Sequence, residues 1–534
     1  MKLASLQSPL HLLLCYLFVQ RVVPHALALL SVRIVLAVTL YIWSFLLLVF
    51  PFNVFIYQRL LSPLRHIPTV PTELNHWKTW LAAEPSPPQL LEWVKVVKER
   101  PGFQGLMRYR GIGGGERILI CGPKAMREVL VAQQYSHFDR PLIARKRIAV
   151  QAGTGLIASG GDVHKAQKRM LLPAFGPRAV KDLYPLFWRK GQELVSALRE
   201  HVQVPKQSVV EITSWTSRSA LDIIGVAAWG KDFDAITHPE SAFLKSYGGM
   251  FDISGGGQFV NALALAVPMK YAMQIPCAYN RRLKDALQTV RVRCEAAVRE
   301  RLEVKDDDSR DILSLLIKGG VRDEDALVNQ MMTILAAGHD TSSVSLAWAC
   351  YVLGRHQDVQ RRLREEVLAS DLPIRPEDDA GKSDEPTGKG LEYLHAVANE
   401  ILRLYPSVPV TRREALRDGS VQGYFIPEGS HMVSSGWVIN RMPEEWGPDA
   451  LEFKPERWMK SEDMDNFAFA SFSHGPRSCI GQGFARAEFL VFLAALVGNF
   501  QIDMRHPEKE VPALYGITMS PAGGVEVRLR AIES

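Results

Sequence analysis

The chain has 534 residues, 47% of them hydrophobic and 22% charged, an ordinary balance for a globular protein with a large core. Its formal net charge of +6 is small for this length and no basic tract forms a stripe, which excludes a nucleic-acid partner. Six cysteines (15, 121, 277, 294, 350 and 479) are scattered without a C-x-x-C pair, arguing against structural zinc and a disulfide scaffold and for a reducing compartment.

Residues 1–60 differ in composition from everything after them. No charged residue lies between Arg33 and Arg59, which leaves about 25 positions dominated by Ile, Val, Leu and Phe, enough to cross a bilayer. A transmembrane helix is expected over about 34–56, with Trp43 and Tyr57 near the headgroups. A second apolar stretch lies within about 9–30, densest from Leu10 to Val19. It reads as half of a hairpin, an interfacial segment or a second span, with a cleaved signal peptide as the competing reading. Arg59, Arg65 and Lys78 follow the main span, so the positive-inside rule puts residues 61–534 in the cytosol. Prolines 63, 68 and 71 stiffen the exit from the membrane.

Beyond this, residues 105–110 and 116–121 read as a β-hairpin around a glycine-rich turn, and Lys124 to Val131 as a helix. Phe138 to Gly161 shows no clear period. Gly161 opens a helix on which His164 and Lys168 share a face, with Arg169 as the rival to Lys168. Val209 to about Leu302 reads as mostly helical, broken at Ser254–Gly257, and the polar stretches 304–310 and 371–390 read as surface loops.

Ala326 to Leu353 is a long helical run with Gly338, Asp340 and Thr341 near its middle. An interior glycine costs about 1 kcal/mol, and a threonine hydroxyl can bond the i−4 carbonyl. Together they predict a loosened turn and a groove. Glu400 and Arg403, three apart on an apolar helix, predict a buried pair. Residues 407–429 read as hairpin strands. Near the end, Cys479 lies in a loop of small residues just ahead of an apolar helix from Phe484 to Leu496. Free N–H groups and the positive helix end stabilise a thiolate there, and glycines 475, 481 and 483 let the backbone turn and come close to something flat. Such a thiolate suits an iron porphyrin.

The pattern Phe472-x-x-Gly475-x-Arg477-x-Cys479-x-Gly481 resembles the cysteine loop of the cytochrome P450 family of haem-thiolate oxygenases. The resemblance runs from about Gly105 to the end, in the family's order. It implies a mainly α fold: a single P450-type domain with small β-sheets, preceded by the amino-terminal transmembrane helix. It implies haem b with Cys479 on the iron, Phe472 beneath the ring and Gly481 among the cofactor-binding residues. His164, Lys168, Arg413 (or Arg412) and Arg477 are the implied propionate partners. Gly338, Asp340 and Thr341 would lie over the iron, the alcohol and the acid guiding protons to dioxygen. Glu400 and Arg403 would lock to Arg457 of Phe453-x-Pro455-x-Arg457-Trp458, where the family often has Phe in place of Trp458. Leu335, Val408, Val410 and Ile517 would line the substrate pocket.

The implied activity is that of an endoplasmic-reticulum monooxygenase. It would draw electrons from NADPH through a flavoprotein reductase docked at the cysteine face. One atom of O2 would enter a small hydrophobic substrate such as a terpenoid or polyketide. His164 in place of the family's Trp is similar to fungal members, many of them in secondary metabolism. Two alternatives stay open: the same haem chemistry used for desaturation, ring rearrangement or oxidative coupling, and a non-catalytic haem-binding sensor.

Overall fold

The expected hairpin is present: β1 (Leu106–Arg110) and β2 (Glu116–Ile120) pair antiparallel, with Leu106 opposite Ile120. Their apolar residues Leu106, Met107, Ile118, Leu119 and Ile120 are fully buried, so this sheet has no water-facing side over most of its length. The computed structural model describes residues 52–532 apart from 72, 76–83, 112–114, 205–207, 252–259, 261–268, 305–308, 383–385, 387–389 and 460–464, together with 40, 43 and 44. Most of the expected membrane span, the apolar stretch within 9–30 and the break at 254–257 lie outside the described residues. So do the tip of the 105–121 hairpin and parts of both polar loops. Among the described residues no helix is long and apolar enough to cross a membrane.

The chain forms two compact units. The first comprises Met1–Pro141, Phe251–Leu283 and Thr411–Val438. Its centre is a five-stranded sheet in the order β1-β2-β8-β5-β3, where β3 is Phe138–Asp139, β5 Thr411–Ala415 and β8 His431–Ser434. β8 runs parallel to β2 although about 310 residues separate them, so the long helical sequence is inserted within the connection. β6 (Gly419–Val421) and β7 (Tyr424–Ile426) form a separate hairpin.

The second unit comprises Leu142–Met250, Lys284–Val410 and Ile439–Ser534, and it is mainly helical. Six of its helices matter here: α1 (Gly161–Leu171), α2 (Tyr184–Gln203), α3 (Ile212–Trp229), α4 (Glu324–Arg355), α5 (Glu392–Leu404) and α6 (Gln482–Asn499). α4 is delimited as its sequence requires. The Asp323 side chain accepts from the Ala326 N–H at its start, Glu324 and Asp325 occupy the positive end, and Arg355 the negative end. α3 packs along α4, and α2 along α6, where Phe187 meets Phe484 edge to face at 5.1 Å. α6 is apolar all round and buried from Ala487 to Asn499, as a core helix must be. Two small sheets complete the unit. β4 (Val209–Glu211), β12 (Glu526–Ala531) and β9 (Phe500–Met504) form one, and the hairpin β10 (Ala513–Tyr515)–β11 (Met519–Pro521) the other.

Leu142–Ala152 is a helix where no period was legible. Only Ala152 in it is buried, so there is no one-sided apolar stripe for the sequence to display.

Candidate active site

The cysteine loop is a tightly closed turn. The Cys479 N–H donates to the Phe472 carbonyl at 2.9 Å and the Ser478 N–H to the Gly475 carbonyl at 2.9 Å. Gly475 has φ +73°, a conformation that accounts for glycine at that position. The other two glycines serve differently. A Cβ at Gly481 would meet Phe175 at 3.7 Å and one at Gly483 would meet Val180 at 3.8 Å. Both therefore face protein rather than open space. Gly481 caps α6 and gives its N–H to the Cys479 sulfur. Burial pushes the Cys479 thiol up from its ordinary value, while the Gly481 N–H and the Lys168 ammonium pull it down. Cys479 is exposed at the surface of this loop. An exposed cysteine held by a hydrogen-bonded loop fits a haem iron.

Around the loop, Arg477 is buried and donates Nη2 to the Ser159 carbonyl at 2.9 Å. Phe472 is half-buried with the Arg486 guanidinium 5.3 Å from its ring centroid. α1 turns His164 and Lys168 inward and leaves Arg169 in solvent, which separates the two rival cations. His164 is buried. Lys168 Nζ lies on the loop itself, 2.7 Å from the Pro476 carbonyl and 3.4 Å from Ser478 Oγ. Arg413 belongs to the first unit. It is buried there and donates Nε to Gln134 at 2.9 Å, while Arg412 Nη2 lies 3.3 Å from Glu84.

α4 carries the second half of the site. From Leu327 to Gly354 every residue is buried except Ala336, Ala337, Gly338, Asp340 and Thr341, so the helix opens to free space over one turn. Thr341 Oγ1 bonds the Ala337 carbonyl at 2.7 Å, the i−4 bond its sequence suggests. Gly338 differs from expectation. A Cβ there would stand 2.7 Å from Ile224 Cδ1, so its smallness lets α3 approach α4 rather than opening a groove. Leu335 is also corrected: at 1% exposure it is core, and Ala336 and Ala337 hold the open positions. Val408 and Val410 are half-buried, and Ile517 stands 71% exposed at the tip of β10–β11 rather than enclosed.

Behind the loop, Glu400 and Arg403 are completely buried. All five Arg403 N–H groups have acceptors. Nε and Nη2 reach the Glu400 carboxylate at 2.8 Å each. Nη1 reaches the carbonyls of Asn440 and Ala450, and Nη2 also that of Glu452. Arg457 Nε, the Lys454 N–H and Trp458 Nε1 each reach Glu400 at 2.9 Å. The indole of Trp458 thus adds a donor that phenylalanine lacks. Burial pushes the Glu400 carboxyl up, but Arg403, the Lys454 N–H and Arg457 together hold it below the ordinary range.

A family model described as Cytochrome P450 matches residues 103–525, across both units. The chain is a cytochrome P450. It is 37% identical over 502 residues to cytochrome P450 monooxygenase sphH of Aspergillus fumigatus, covering 90% of this chain and 91% of that protein. To cytochrome P450 monooxygenase FUM15 of Gibberella moniliformis it is 33% identical over 547 residues, covering 90% and 91%. To cytochrome P450 monooxygenase ALT8 of Alternaria alternata it is 35% identical over 548 residues, covering 88% and 90%. The enzyme class is therefore that of the P450 monooxygenases, with haem-thiolate iron implied by the family.

In this P450 three further residues stand at the site without having been singled out from the sequence. His339 is buried between Ser217 Oγ (2.8 Å from Nε2) and the Tyr247 hydroxyl (3.2 Å from Nδ1), and burial pushes it down. Glu488, the one acid in the apolar run of α6, accepts from Ser342 at 2.5 Å, and burial pushes it up to about 8. Thr518 donates to Asp340 Oδ2 at 2.6 Å. An acid in the middle of an apolar helix was a legible signal for Glu488. The other two depend on which helix lies opposite, which no spacing records.

Proposed function

We propose that this P450 inserts one atom of dioxygen into a small apolar substrate, a terpenoid or polyketide, in a secondary-metabolite pathway. The observation that carries the reading is the single open turn of α4, which bears Asp340 and Thr341 in an otherwise buried helix. Its relatives named as P450 monooxygenases support the monooxygenase class.

The haem would supply dioxygen activation when bound, and Cys479 would hold its iron. Arg477, His164 and Lys168 would offer cations and donors to its propionates, as would Arg413, and Phe472 would pack against its ring. Thr341 keeps its hydroxyl on the Ala337 carbonyl and offers its lone pairs to a water. Asp340 has one carboxylate oxygen committed to Thr518 and the other left to accept from water, so it passes protons inward. Val408 and Val410 give substrate an apolar wall.

Electrons come from NADPH through a flavoprotein reductase that meets the cysteine face. Lys165 and Arg169 are exposed on α1, the helix whose Lys168 touches the cysteine loop, and they suit an acidic partner. The amino-terminal 60 residues anchor the enzyme in the endoplasmic reticulum with the catalytic domain, 61–534, in the cytosol.

The test begins with carbon monoxide on the dithionite-reduced holoprotein, where a Soret band at the thiolate position is expected and an imidazole position would refute the ligand. A substrate screen by Soret shift follows, then mass spectrometry of products made under isotopically labelled dioxygen. One labelled atom in the product is expected; unlabelled product would mean desaturation, rearrangement or coupling instead.

A further inference from the structure

We infer that Thr518 is a positioning residue for Asp340: its hydroxyl aims the carboxylate that delivers protons and ties that delivery to the seating of the terminal hairpin. The inference rests on the proton-relay reading of Asp340 above.

The hairpin is held to α4 at a fixed height by bonds that do not involve Thr518. The Trp348 indole, on α4, donates to the Met519 carbonyl at 2.7 Å. The Met519 N–H donates to the Ser407 carbonyl at 2.8 Å. The Ser407 hydroxyl in turn donates to the Thr341 carbonyl at 2.8 Å and lies 2.6 Å from Ser345 Oγ. Strand pairing of Ala513 with Pro521 and Tyr515 with Met519 sets the rest. Thr518 therefore arrives opposite Asp340 by construction. Its Oγ1 stands 2.6 Å from Oδ2, within the range of hydroxyl–carboxylate bonds that carry charge assistance.

Asp340 accepts through Oδ2, so a fixed donor there fixes the direction in which Oδ1 points. Without it the half-buried side chain is free to change rotamer, and a relay depends on a donor and acceptor held in line.

The experiment uses the full-length holoenzyme with NADPH, dioxygen and a flavoprotein reductase, and compares Thr518→Val, Thr518→Ser, Asp340→Asn and the double variant Thr518→Val/Asp340→Asn. When protons are misdelivered, the two electrons of NADPH reduce O2 to H2O2 (NADPH + H+ + O2 → NADP+ + H2O2), so peroxide released per NADPH consumed is the readout. Amide exchange over residues 513–521 is the second. Thr518→Val is expected to raise the peroxide fraction several-fold, toward that of Asp340→Asn, and Thr518→Ser to restore the wild-type value. The double variant should be no leakier than Asp340→Asn alone, because the two groups act as one unit. Hairpin exchange should stay as in wild type. A leaky Asp340→Asn beside a tight Thr518→Val overturns the inference and leaves the relay reading standing. Additive leakage, or faster hairpin exchange in Thr518→Val, overturns it by making Thr518 independent or merely structural. An Asp340→Asn variant no leakier than wild type overturns the relay reading, and the inference with it.

Discussion

Glu400, itself completely buried, accepts from three side chains and one backbone N–H. Removing it strands Arg403 and leaves Arg457 short of a partner, so Glu400→Gln should cost about 3–5 kcal/mol in chemical denaturation of the holoprotein. Trp458→Phe keeps the packing against Trp446 and Phe469 and loses only the indole bond, which predicts about 1.5 kcal/mol by the same measurement. Glu488 gives a pH signature. Its folded carboxyl titrates at about 8, above an unfolded glutamate, so the native protein holds a proton that the unfolded chain has released. Stability from this group is full below about pH 4.5 and declines as pH rises toward 8. Denaturation midpoints should fall across that window in wild type and fall less in Glu488→Gln. Glu400 has the opposite sign: its carboxyl is held low, so what it contributes is lost only as pH drops below the ordinary carboxylate range.

Helices α3 and α4 show how an element's sequence is set by its neighbour. Alanine at 338 would gain about 1 kcal/mol of helix propensity. Against that stands a contact of 2.7 Å with Ile224, a side chain 2% exposed, where overpacking costs about 1–3 kcal/mol. Gly338→Ala should therefore be destabilised by about 1 kcal/mol net, and Ile224→Val, which deletes the clashing methyl, should recover part of it in the double variant. Element types and order were largely legible: α1, α4, α5 and α6 lie where their periods, apolar runs and breakers put them. The helix 142–152 was not, because no buried stripe marks it. The roles of small residues were misread for the same kind of reason. Gly338, Gly481 and Gly483 look alike in a sequence whether they face a cofactor, a capping position or another helix, and only the packing partner tells these apart.

For the molecule as a whole, the proposed anchor and reductase contact lead to separable expectations. Deleting residues 1–51 should release the protein from microsomes with its carbon monoxide spectrum intact, as read by carbonate extraction and difference spectroscopy. Charge reversal at Lys165 and Arg169 should slow the first electron transfer from the reductase, and the wild-type rate should itself fall with salt.

By itself, the sequence determined the family, the cysteine loop, the alcohol and acid of α4 and the buried Glu400–Arg403 pair. These are encoded by residue type at fixed local spacing, which a linear chain can carry. Only the tertiary structure decided that Trp458 is a fifth donor to Glu400, that Lys168 lies on the cysteine loop, and that Thr518 holds Asp340. Those contacts join residues 58, about 310 and 178 positions apart. Their geometry follows from how helices and hairpins pack, which no local pattern states.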